Sequence, residues 1–150
     1  MRHPPDLLSA LRSQFISVLK TDEIQNQAEE TESMTSEQIE SEQKRVCRAY
    51  KTDFVPCEDG SKVGIALATL RMRPLNGLRH IPERGTNGWY IWGGEELSSR
   101  ADFFDALHID HVPHRCPGIV KYLGLPPGYR FLVAPDHLDV WFDVNLLNAS

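Results

Sequence analysis

Apolar residues recur at helical spacing early in the chain and at alternating spacing later, a pattern that predicts a helical first third followed by a sheet. Leu7, Leu8, Leu11, Phe15, Val18 and Leu19 share one side of a helix over 6–20, behind a Pro-Pro-Asp sequence suited to a helix start. Residues 21–35 show no apolar period and are largely polar and acidic, which predicts a linker or a fraying helix end. A second helix is expected from Ser36 to about Tyr50. Thr35 and Gln38 have the spacing of a capping box, and Ile39, Val46 and Tyr50 fall on one face.

Strand-like alternation begins near residue 50. Asp59-Gly60 is a hairpin-type turn signal leading into a strand over Lys62–Met72. In that strand Val63, Ile65 and Leu67 point one way and the small residues Gly64, Ala66 and Ala68 the other, where a second element can approach closely. Residues 74–87 hold two Pro, two Gly and two Asn without a period and read as a loop. With Arg71 and Arg73 before it and Arg79 and Arg84 inside, this segment is the basic concentration of the chain. Gly88–Gly94 is apolar on both sides of the pleat, Trp89 and Ile91 on one and Tyr90 and Trp92 on the other, which predicts a strand buried on both sides or half-covered by a partner.

Short helices are expected over Ser98–Phe104 and Pro117–Leu123, the second with Pro117 at its first position and Gly124 as its stop. Tyr129–Ala134 and Asp139–Asp143 read as two strands joined by a turn at Pro135-Asp136. The sum is an α+β fold, a small and mostly antiparallel sheet packed by a few helices. A helical acidic extension over 1–44 precedes the sheet-bearing domain over 45–150.

Composition adds little to that picture and removes several classes. At 41% hydrophobic and 25% charged residues over 150 positions, the chain is a globular one of single-domain size, neither collagenous nor disordered. Of the formal charge of −5, all lies in residues 1–44, where nine Asp/Glu meet four Lys/Arg; residues 45–150 carry twelve of each. A phosphate-binding surface needs a basic excess, so nucleic acid is not an expected partner. No apolar run approaches the roughly 20 residues that cross a bilayer, and the opening Met1-Arg2-His3-Pro4-Pro5-Asp6 is unlike a signal peptide. The expected compartment is the cytoplasm, which suits Cys47, Cys57 and Cys116, an odd number without Cys-x-x-Cys spacing, as reduced thiols.

Three groupings invite a chemical reading. His108, His111, His114 and Cys116 place four possible metal ligands within nine residues, the basis of an alternative function as a metal- or thiol-dependent enzyme. Their spacing argues against it: His-x-x-His on a strand sends the two rings to opposite faces, and Pro113 interrupts regular structure beyond. Glu95 and Glu96, with Asp102 and Asp105, offer carboxylates for acid–base work, but adjacent acids after a Gly-Gly turn are better suited to a solvated loop. No Gly-x-Ser-x-Gly and no phosphate-binding Gly-rich loop occurs, and Cys116 before Pro117 fits a buried residue at a helix start. Neither a catalyst nor a bound metal or cofactor is expected.

The third grouping points to binding. On a strand over Asp139–Asp143, Val140 and Phe142 face the core while Trp141 faces outward between Asp139 and Asp143, the arrangement of an aromatic anchor with an acidic rim. Glu95 and Glu96 can extend that rim, and Arg79 and Arg84 of the basic segment form a second candidate contact. The competing reading is that a neighbouring helix covers Trp141.

Over residues 45–148, and most clearly 86–148, the chain resembles bacterial immunity protein family thirty-three, formerly a domain of unknown function. The resemblance rests on Val63-Gly64, Gly88-Trp89, Gly94-Glu95 and the run Cys116-Pro-Gly-Ile-Val-Lys-Tyr-Leu-Gly-Leu-Pro-Pro-Gly-Tyr-Arg-Phe131, kept in order. It implies an α+β fold and a place in polymorphic toxin systems, with a cognate protein toxin as partner. It supplies no catalytic residue. The longer segment at 74–87 and the acidic extension depart from the family pattern. A non-toxin protein-binding adaptor is the third reading.

Overall fold

A computed structural model describes residues 34–148, and the helix expected over 6–20 lies outside them. The first element, α1 (Ser36–Ala49), begins at the expected capping box: the Gln38 amide donates to Thr35 Oγ1 (3.1 Å) and the Thr35 amide to Gln38 Oε1 (2.8 Å). Ion pairs Glu40–Lys44 (2.8 Å) and Glu42–Arg45 (3.1 Å) line its exposed side, while Ile39, Val46 and Cys47 turn to the core.

Six strands form one sheet: β1 (Lys62–Ile65), β2 (Leu75–Arg79), β3 (Thr86–Gly93), β4 (Asp105–His108), β5 (Tyr129–Ala134) and β6 (His137–Phe142). Their order is β4-β1-β3-β2-β5-β6, with β1 and β3 parallel and every other pair antiparallel. The α+β class and the mostly antiparallel sheet expected from the sequence are what the chain adopts.

The inner face carries Val63, Ile65, Leu75, Trp89, Ile91 and Phe131, packed against α1 and a 3-10 helix over Pro117–Tyr122. Tyr122 stacks on Phe131 at 5.2 Å, and Trp89 Nε1 donates to Leu123 O at 3.1 Å, so that the buried indole is both packed and satisfied. Gly124 is where α1 comes closest: a β-carbon there would meet Phe54 Cε1 at 2.7 Å and Gln43 Cβ at 3.1 Å. The outer face carries Ala66, Leu78, Tyr90 and Trp92, covered by Phe103, Phe104 and Leu146. Trp89 and Ile91 against Tyr90 and Trp92 are thus buried on both sides, as their pattern predicts.

Four local expectations are overturned. The presumed loop at 74–87 contains β2, one of the two central strands of the sheet. Its Gly and Asn are there for packing: a β-carbon at Gly77 would run into the Phe131 ring, and the Asn76 side-chain amide donates to the carbonyls of Pro74, Trp92 and Gly94. The strand expected over Lys62–Met72 stops at Ile65, because the chain turns into a 3-10 helix over Leu67–Thr69 whose Thr69 hydroxyl bonds Ala66 O and receives the Gly93 amide. Asp59-Gly60 is a turn with Gly60 at φ +77°, but among the described residues no strand precedes it and it closes no hairpin. Ser98–Phe104 is not helical. Its aromatic pair, 4.9 Å apart, seals the outer face from a coil, Phe104 standing edge-on to Tyr90 at 5.1 Å.

Gly77→Ala is expected to destabilise the protein by about 2–3 kcal/mol through overpacking against Phe131, measured by urea unfolding. Phe131→Leu added to it should return part of that loss.

Candidate binding surface

The β5–β6 hairpin closes at the expected Pro135-Asp136 turn, with Arg130 opposite Trp141 and Leu132 opposite Asp139. Paired residues share a face of the pleat, so Asp139, Trp141 and Asp143 stand on the outer face together. There Trp141 lies against Leu132 and Ala134, and the Arg130 guanidinium sits 5.4 Å from its ring centroid. Arg130 Nη1 also donates to Asp143 Oδ2 (3.1 Å), in a pair whose side chains are only 27% and 22% exposed. Asp143 Oδ1 takes the Asn145 amide and caps the 3-10 helix over Val144–Leu147. Asp143 therefore holds the hairpin to the chain that follows it, and Arg130, which the sequence did not single out, bridges it to Trp141.

On the inner side, Val140 packs against the core as expected but Phe142 is 50% exposed, its ring edge-on to Tyr129 at 5.4 Å. An edge strand has no neighbour on its far side, which leaves the end of Phe142 at the rim. Glu95 and Glu96 are exposed just past the C-terminal end of β3. Register places them at the end of the sheet that carries the Pro135-Asp136 turn, beyond the row Gly93–Leu75–Val133–Leu138. Arg84 lies at the opposite end, exposed in the β2–β3 connection with φ +48°. The proposed contact residues thus fall in separate places, with only Asp139, Trp141 and Asp143 contiguous.

Arg79 is not a surface residue at all. It is 2% exposed, with Nε donating to Asn87 O (2.9 Å) and Nη1 to Val55 O (2.6 Å) and Leu125 O (2.7 Å). Burial pulls its pKa down, yet a guanidinium remains a cation, and among the described residues its hydrogen-bond partners are carbonyls. Its side chain underlies a cleft of 410 Å³ lined by Glu58, Asp59, Glu83 and Arg84 among others.

The His/Cys grouping does not converge. His108, His111 and His114 are exposed, the first two with ring centroids 6.2 Å apart, whereas Cys116 is 5% exposed and faces the core. Among the described residues no three His, Cys, Asp or Glu side chains come together as metal ligands. Burial pushes the Cys116 thiol up to about 11, opposite to what a nucleophile needs. Asp102 is exposed and paired with Arg100 at 3.2 Å, and Asp105 opens β4 on the other edge of the sheet.

Fold and surface define an α+β sheet protein with a helical layer on one face and an aromatic patch on the other. Residues 42–143 match the family model described as an Imm33-like domain, and the chain belongs to that family, which bears out the resemblance read from its motifs. The match runs from within α1 to Asp143 and takes in all six strands. No curated protein and no solved structure matches the chain. Among the described residues no helix is long and apolar enough to cross a membrane.

Arg79→Met should cost about 3 kcal/mol or more, since two buried carbonyls and one half-buried carbonyl lose their donor; the urea midpoint should fall with the slope unchanged. Alkali gives an independent check. Burial pushes Cys57 as well as Cys116 up to about 11. The unfolded chain releases those protons near pH 8.5 or so, and the folded chain holds them, so stability present below that pH is lost as the pH climbs toward 11. The fall in urea midpoint between pH 9 and pH 11 should be shallower in Cys116→Ala.

Proposed function

We propose that this protein is an immunity protein that neutralises a cognate toxin of a bacterial polymorphic toxin system by binding and blocking it in the cytoplasm. The observation that carries the reading is the family match over residues 42–143. It is a stoichiometric blocker and no enzyme: occupying the toxin's working surface requires an anchor and a rim and no reacting group.

The outer face of β6 is the proposed contact. Trp141, backed by Leu132, Ala134 and the stacked Arg130, is a large rigid side chain of the type that dominates interface energetics. Asp139 beside it, with Glu95 and Glu96 at the end of the sheet, gives the rim an acidic character. Toxins that attack nucleic acid are basic because their substrate is a polyanion, and an acidic rim both steers encounter and competes for that surface. Arg84 is the candidate outlying contact, and Arg79 supports the fold beneath it.

The test is co-expression with the cognate toxin domain, to be sought in the gene immediately upstream as the C-terminal part of a large secreted protein. The wild-type chain should restore growth, and purified protein should bind that domain. Trp141→Ala should retain a cooperative unfolding transition while dissociating faster, at a cost of roughly 2 kcal/mol. Asp139→Asn should slow association mainly at low salt. Failure of the wild-type chain to bind or protect would refute the reading, whereas normal binding by both variants would move the contact away from β6.

A further inference from the structure

Among the described residues strand β6 ends the sheet, and half of its backbone groups face no other strand. The Asp143 amide donates to Gly128 O (2.7 Å), which fixes the phase of the β5–β6 ladder. Counting back in twos, Trp141, Asp139 and His137 turn their peptide groups toward β5. Leu138, Val140 and Phe142 turn theirs away from the sheet. Along the same edge the side chains of Leu138 and Phe142 are 45% and 50% exposed, on either side of Val140, which packs into the core. Val144, 57% exposed, follows at the start of the 3-10 helix. The other edge, β4, is only four residues long, and among its side chains Asp105, Ala106 and His108 are exposed. Short, charged edges resist further pairing, and a six-residue edge flanked by large apolar side chains invites it.

We propose that β6 pairs antiparallel with β6 of a second copy of this chain, about a two-fold axis through Val140, so that two sheets become one. The strand is self-complementary in that register. Each Val140 faces the other and exchanges both peptide hydrogen bonds, and Leu138 of each chain faces Phe142 of the second copy, exchanging two more. The half-exposed Leu138 and Phe142 cover one another on the inner side, where they extend the core. On the outer side His137 comes opposite Asp143 of the second copy and Asp139 opposite Trp141, so no like charges are directly apposed. A shift of two residues in register uncovers one apolar pair and shortens the ladder. Pairing through the edge adds a dimension to the toxin-binding reading without depending on it, since the edge and the outer face of β6 are different surfaces.

The experiment is sedimentation equilibrium of the full chain from low to high micromolar concentration. The wild-type protein should approach the mass of a dimer. Leu138→Lys places a charge on a position already half in water, and Val140→Pro deletes a donor that points away from β5; each should weaken the dimer roughly tenfold or more. Ile81→Lys, at a residue 53% exposed in the β2–β3 connection, should leave it unchanged. Circular dichroism identifies any variant that fails to fold, and Leu138→Lys supplies the answer if Val140→Pro is one. A wild-type monomer throughout the range overturns the proposal, as does a dimer indifferent to Leu138→Lys. If the wild-type chain is monomeric and Leu138→Lys instead abolishes binding to the cognate toxin domain, the occupant of the edge is a foreign strand and the second-copy assignment is wrong.

Discussion

A guanidinium has been placed where the sheet meets the loops, and the local architecture follows from having to satisfy it. Arg79 ends β2, and its donors reach carbonyls of three segments far apart in sequence: Val55 ahead of β1, Asn87 in β3 and Leu125 ahead of β5. An ion left bare in such a place would cost several kcal/mol, so each of those segments is held in position by the charge it solvates. The backbone takes part too, since Arg79 O accepts the Gly128 amide where β5 begins. Asn87 in turn donates to Ser61 and accepts the Trp89 amide, and both it and Ser61 are buried. A polar cluster thus closes this end of the sheet.

This explains which parts of the fold were legible in the sequence. Where burial and local propensity agree, as in α1 with its capping box, in β3 with its two apolar faces and in the β5–β6 hairpin, pattern alone located the element. β2 was missed because its requirements are tertiary. Gly77 exists for the Phe131 ring, Asn76 for the carbonyls of its neighbours, and Arg79 for carbonyls of three other segments, so a central strand carries the composition of a loop. The candidate contact residues show the same division. Alternation placed Asp139 and Trp141 on one face correctly, but it had no means of showing that Arg130 and the Asn145 amide engage Asp143, or that Arg79 is interior. A cluster of arginines in sequence is not a basic patch when one of them is in the core.

The helical layer and the aromatic coil also divide the labour between the two faces. The inner face is closed by backbone elements, α1 and the 3-10 helix over Pro117–Tyr122, which leaves little room for change. Among the described residues the outer face is closed by side chains, Phe103 and Phe104 reaching over from a coil and Leu146 from a single short 3-10 turn. Loops of this kind tolerate substitution better than helices packed on a core. Under the proposed function, the outer face is therefore the one on which specificity can be altered without disturbing the frame.

The strand order has a further consequence, for the time course of folding. Only β2–β3 and β5–β6 join neighbours in the chain; β1 waits for β3 and then for β4, and β2 is not bounded on its second side until β5 arrives, with Asn76 opposite Leu132. α1 is more distant still, its Gln43 side chain bonding Val120 O across 77 positions. Chains whose contacts span such separations must close long loops before they gain much, and they fold in milliseconds to seconds where local topologies take microseconds. During synthesis β2 must therefore emerge, and wait, with one edge unpaired until β5 has been made.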